Sequence, residues 1–217
     1  MYLFLAEAKR IWEMQVVTNG HRCLTSIQAV MFINAIHNVS GLDRLGNVYG
    51  WQGLAVAQEI ALFDGNAHIQ SPRLREASNY TAWALFNLDS ITSLYFSQTP
   101  KLPRAPLARL PNPIVEVQWY GEMWTRYPMD QQLTPSSWGL SFKALSQLRI
   151  IIHQISSLAF DPNSNFPASQ ARIFGLRLLD WFNRLPPALS PRYMVLPAHF
   201  LLQWVAFLRS IWLSAHG

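Results

Sequence analysis

Apolar residues recur along most of this chain at steps of three and four, the spacing that gathers them on one face of an α-helix. The clearest run begins at Ser71-Pro72, a hydroxyl cap followed by proline at the first helical position, where no N–H is needed. Leu74, Ala77, Thr81, Leu85, Leu88, Ile91 and Tyr95 form one stripe, and Tyr80, Trp83, Phe86, Ser90 and Leu94 form a second. Two apolar faces on one helix predict that neighbours enclose it from both sides. The helix should extend to about residue 97, roughly 39 Å at 1.5 Å per residue. Pro100, Pro103, Pro106, Pro111 and Pro113 should then stop it and force an extended exit.

Upstream, residues 2–18 read as a helix closed by Gly20. The missing cap at its start predicts a fragment with ragged ends. Thr25 or Ser26 is placed to cap a second helix, which carries Ile27, Val30, Met31, Asn34 and Ile36 and closes at Gly41. A short loop holding Gly46 and Gly50 should lead to a third helix, with Trp51, Leu54, Ala55, Gln58, Ile60 and Leu62. Its small residues Gly53, Ala55 and Ala57 suit the close approach of an antiparallel hairpin.

Downstream, residues 114–133 read as weakly helical, ended by Pro128. A long helix starts from Pro135-Ser136-Ser137 and covers residues 136–159, and Asp161-Pro162-Asn163-Ser164-Asn165 is a loop. Another helix runs from Ala168 to Arg184 and ends at Pro186-Pro187, and a last apolar run fills Val195–Leu213. Neither an alternating strand pattern nor a repeat of fixed period persists. The expectation is one all-α domain over residues 1–217: a multi-helix orthogonal or antiparallel array around a buried central helix at about residues 72–97.

Composition narrows the function classes. Half of the residues are hydrophobic and only 13% are charged, which excludes a disordered tail and a solvated coiled coil and points to apolar surface that meets another protein. The net charge is +5, but it is spread out, with no run beyond pairs such as Lys9-Arg10, and reads as solvated helix faces and not as a DNA-binding surface. Cys23 is the single cysteine, excluding an internal disulfide and a thiolate-rich zinc site. The run Val195–Leu213 is broken by Pro197, His199, Gln203 and Arg209. A central cation costs about 2.5 kcal/mol on insertion scales, so the run reads as a buried amphipathic helix with no membrane partner.

Motifs for catalysis are missing: there is no His-Glu-x-x-His pair, no phosphate loop of the Gly-x-x-x-x-Gly-Lys kind and no Gly-x-Ser-x-Gly elbow. The six histidines lack ligand spacing. The chain is read as not an enzyme, with no catalytic, cofactor or metal residue. His153 and His199 read as hydrogen-bonded residues of apolar helices. Asp89, among apolar positions, reads as a structural carboxylate, capped or paired with Arg73, Arg75 or another helix; the sharper alternative is an effector contact. A buried carboxylate needs a partner in either case.

The order of these motifs resembles a known family. A basic first turn (Arg73, Arg75), aromatics three apart (Trp83, Phe86), Leu88-Asp89, Ser93 and a proline-punctuated exit from Pro100 to Leu110-Pro111 are similar to the fungal-specific transcription factor domain. This is the middle homology region of fungal zinc binuclear-cluster regulators. A second block carries Ser26, Gln28, Ala29, Gly41, Trp51, Gly53, Ala55, Ala57, Ile60 and Leu62. Val56 and Phe63 stand where the family often has arginine and histidine. The Leu-Pro stretch before the C-terminal apolar run also resembles the family.

The resemblance implies a nuclear regulatory region that modulates transcription by RNA polymerase II. It assigns structural motif roles to Ser26, Gln28, Gly53, Arg73, Arg75, Trp83, Phe86, Asp89, Pro100 and Pro111. Zinc and DNA binding would belong to a separate N-terminal cluster outside these residues, or be lost. The implied partners are a coregulator or small-molecule effector and a second copy in a homodimer. The alternative from another class is a helical protein that binds an apolar ligand or a membrane surface, unrelated to transcription.

Overall fold

A computed structural model of the chain describes residues 2–126, 133–164 and 166–189. Among them the order is α1 (Tyr2–Val17), α2 (Leu24–Val39), α3 (Asp43–Glu59), α4 (Pro72–Tyr95), α5 (Val117–Tyr120), β1 (Trp124–Thr125), β2 (Thr134–Pro135), α6 (Trp138–Ala159), α7 (Ala168–Asn183) and a 3-10 turn at Pro187–Leu189. The fold class is the expected one, a packed all-α array. The run Val195–Leu213 with its Pro197, His199, Gln203 and Arg209, together with Tyr127 and Pro128, lies outside the described residues.

Four helices close with one kind of turn. After α1, Gly20 N–H bonds to Gln15 C=O at 2.9 Å and Asn19 N–H to Val16 C=O at 3.4 Å. The same paired bonds end α2 (Leu42 to His37, Gly41 to Asn38), α3 (Leu62 to Ala57, Ala61 to Gln58) and α4 (Gln98 to Ser93, Ser97 to Leu94). This is the Schellman arrangement, which needs one residue in the left-handed region. That residue is Asn19, Gly41, Ala61 or Ser97, with φ of 56°, 72°, 53° and 51°. Two expectations change. Gly20 closes α1 through its N–H, while Asn19 makes the left-handed turn. At α4 the turn on Ser97 ends the helix before any proline is reached.

The chain divides into two compact units, Met1–Leu85 with Ala105–Ala108, and Phe86–Arg104 with Arg109 onward. Helix α4 gives its first part to one and its second part to the other. In the first unit α2 and α3 form the expected antiparallel hairpin around Gly41. The loop expected at Gly46 and Gly50 is absent; both lie inside α3. Gly46, Gly50, Gly53 and Ala57 share one face at helical spacing, and α2 approaches it closely. A Cβ on Gly53 would meet Val30 Cγ1 at 2.8 Å and Met31 Sδ at 2.9 Å, and one on Gly50 would meet Asn34 Nδ2 at 3.0 Å. At Gly46 it would overlap Asn38 Oδ1. Asn34 Oδ1 and Asn38 Oδ1 are buried with no conventional hydrogen-bond donor, so the glycine Cα–H groups are what this surface offers them. Ala55 points away and is exposed. Helix α1 joins the hairpin through buried Trp12, whose indole N–H donates to Gln52 Oε1 at 2.8 Å.

In the second unit Leu148, Ile151, Ile152 and Ile155 of α6 pack with Phe174, Leu178 and Trp181 of α7 and with Leu189. Trp181 Nε1–H donates to Ala144 C=O at 3.0 Å. The boundaries expected for α6 and α7 hold within two residues, and the Asp161 loop closes as an Asx turn, with Asn163 N–H on Asp161 Oδ1 at 2.9 Å. Of the weakly helical stretch expected over 114–133, the described residues form only the single helical turn α5. Branched Ile114, Val115 and Val117 lower helix propensity, and Gly121 at φ 71° stops the turn. The following chain makes a small ladder not expected from sequence, Trp124 opposite Pro135 and Thr125 opposite Thr134. At two residues per strand no alternation can register.

Helix α4 has the enclosed middle that its two stripes predict: Thr81, Ala82, Trp83, Leu85, Phe86, Asp89 and Ser90 are all buried. Its ends differ. Leu74 and Tyr95, assigned to the inner stripe, are 47% and 74% exposed.

Candidate functional site

The expected cap at Ser71 is made: its Oγ accepts Leu74 N–H at 3.4 Å, at the third helical position. Arg73 is exposed, and Arg75 reaches back to Ile69 C=O at 3.4 Å. Neither is the partner of Asp89. Sixteen residues of helix separate Asp89 from Arg73, roughly 24 Å at the usual rise, and Arg75 stands only about half a turn nearer.

The partners of Asp89 come from the proline-rich exit. Its Oδ2 accepts Leu102 N–H at 2.9 Å and its Oδ1 accepts Lys101 N–H at 3.2 Å. Leu102 C=O in turn accepts His153 Nε2–H at 2.8 Å. The carbonyl can only accept, so His153 carries its proton on Nε2. The imidazole lies against Phe86, ring centroids 5.1 Å apart. The Leu102 side chain is only 2% exposed. Both peptide groups of Leu102 are thus gripped, one by an acid on α4 and one by an imidazole on α6. Burial raises the Asp89 pKa above the ordinary carboxylate range, opposed by the Leu102 and Lys101 amides and by the nearby His153 and Lys101 charges. The chemistry of the cluster is that of a latch: it fixes the direction in which the chain leaves α4.

Other motif residues hold other parts of the same path. Trp83 Nε1–H donates to Ala108 C=O at 2.8 Å, and Leu107 N–H to Phe63 C=O at 2.9 Å, tying residues 105–108 to the first unit. Gln28 Nε2–H donates to Thr81 Oγ1 at 3.0 Å, linking α2 to α4. Pro100 is half-buried; Pro111 is buried, and its C=O accepts the Tyr120 hydroxyl at 2.8 Å. Gly53 serves the α2–α3 contact. Val56 and Phe63 are core residues.

Ser26 does not cap α2. The cap position belongs to Cys23, and Ser26 lies inside the first turn. There its hydroxyl donates to Gln15 Oε1 at 2.9 Å and lies 3.1 Å from Cys23 Sγ. The Cys23 thiol has a lowered pKa, chiefly through the Ser26 hydroxyl and next through Thr25. Sequence reading missed Leu102, whose role comes from its backbone, and Gln15, whose role depends on α1 meeting α2. It also missed Arg149, half-buried on α6 with no acidic partner among the described residues and its pKa pulled down to about 10 by desolvation.

Among the described residues, no group of three His, Cys, Asp or Glu side chains converges on a metal position, and no helix is long and apolar enough to cross a membrane. Comparison with protein-family models, with curated proteins and with solved structures finds no match.

Proposed function

We propose that the chain is the α-helical regulatory region of a fungal zinc-cluster transcription regulator. It acts in the nucleus on transcription by RNA polymerase II, with zinc and DNA binding outside these residues or lost. What supports the reading is one observation: the residues by which the sequence resembles that family lie along α2, α3, α4 and the proline-rich exit. Those on α4, namely Trp83, Phe86 and Asp89, are the ones that grip that exit or pack beside the grip. The region makes no chemical bond; it relays.

In this reading the packing of α6 with the part of α4 from Phe86 onward has two arrangements, and the Asp89–Leu102–His153 latch favours one. A coregulator or small-molecule effector shifts the balance only by binding the two unequally. The test places the 217-residue chain between a heterologous DNA-binding domain and an activation domain in yeast. The expected result is reporter output altered by about fivefold relative to the fusion lacking the chain, and a return toward that fusion's output when Asp89→Ala removes the acid of the latch. Identical output with and without the folded chain overturns the reading.

A further inference from the structure

Between α1 and α2, wholly within the first unit, lies a cleft of about 320 Å³. The geometry points to a binding site here for a small neutral amphiphile, one with an apolar body and a single hydroxyl or carbonyl end. The inference stands apart from the regulatory reading.

Three features of the cleft define the ligand. The first is size: the volume falls at the lower end of the range for small-molecule sites. The second is charge: among the described residues no lining side chain is charged, so nothing in the cleft would pair with an ionic ligand. The third is polarity along the axis. The antiparallel crossing of α1 and α2 sets Ala8, Ile11, Ala29 and Ile33 at one end and Gln15, Thr25 and Ser26 at the other.

The polar end coincides with the start of α2. The Thr25 and Ser26 N–H groups of its first turn bond to the Cys23 thiol, so the donor left for a ligand is a side chain. The Gln15 and Ser26 side chains are bonded to each other at 2.9 Å, which leaves the Gln15 amide NH2 to donate. An oxygen at this end meets donors, and a hydrocarbon body at the other end meets aliphatic walls. Trp12 forms part of the lining while its indole N–H is occupied by Gln52, so it offers the ligand an apolar surface only.

The test uses the full chain with Nile red as a neutral fluorescent probe and decan-1-ol as competitor. The expected result is saturable fluorescence gain, reversed by decan-1-ol. Ala29→Trp, at an exposed position of the lining, fills the cleft without touching the core and weakens both by about tenfold or more, with the helical circular dichroism unchanged. Leu45→Ser, on an exposed part of α3, changes neither. Gln15→Ala weakens decan-1-ol more than Nile red. Undiminished binding to folded Ala29→Trp, loss of binding in Leu45→Ser, or no saturable binding to the parent chain overturns the inference.

Discussion

Ala61 carries a methyl group into a backbone conformation that only glycine adopts freely. Its φ is 53° in the turn that closes α3, and its side chain is exposed, so the conformation is imposed by the paired hydrogen bonds and not by packing. Ala61→Gly should therefore stabilise the chain by about 1 kcal/mol, seen as a higher urea midpoint with an unchanged slope. A lower midpoint would refute the turn. Asp89 presents the opposite situation, a conformation that is easy and a charge that is not. Its folded pKa is raised by burial, so its favourable contribution is fully present below the unfolded pKa and is lost as the pH rises through the folded value. The stability of the wild type relative to Asp89→Asn should thus grow as the pH is lowered from 7 toward the ordinary carboxylate range. Urea titrations of both proteins across that window check the sign; a difference that shrinks on acidification would show that the two amides outweigh desolvation.

At the scale of the helix, glycine has two meanings in this chain, and sequence alone does not separate them. Gly53 faces Val30 and Met31 below van der Waals distance for an added Cβ, while Gly175 in α7 has nothing within 4 Å of that position. Both sit inside helices, where alanine gains about 1 kcal/mol in propensity. Gly175→Ala should show that gain in full. Gly53→Ala should lose about 1–3 kcal/mol, because α2 and α3 must part to admit the methyl group. Thermal melts of the two variants should move in opposite directions. The pattern also explains the misplaced loop. Gly46 and Gly50 look like helix breakers when read along the chain, but at spacings of three and four with Gly53 and Ala57 they are one flat face. The helix is stable there because the approach of α2 offsets what glycine costs in backbone entropy.

At the scale of the molecule, α4 is the element that both units draw on. Gln28 of α2 bonds to Thr81 in its first part, and Asn87 in its second part donates to Ser146 of α6 at 2.8 Å. Ala84→Pro removes a hydrogen bond and kinks the helix between these points, a loss of about 3 kcal/mol or more. Amide exchange in α2 and in α6 should then accelerate together. Protection lost in one and kept in the other would mean that each unit holds its share of α4 by itself.

Periodicity alone determined the all-α class, the enclosed middle of α4 and the boundaries of α6 and α7, because burial of one helical face is a local property that repeats every few residues. The proline cap at Ser71-Pro72 and the loop at Asp161 were equally legible, since each is closed by its own neighbours. Tertiary structure decided what bonds across distance. It gave Asp89 two backbone amides in place of an arginine, moved Ser26 from a cap to a partner of Gln15, and made Leu102 the held residue of the exit. None of these could be read from residue types, because a peptide N–H and C=O are the same at every position and only the path of the chain determines which of them an acid or an imidazole meets.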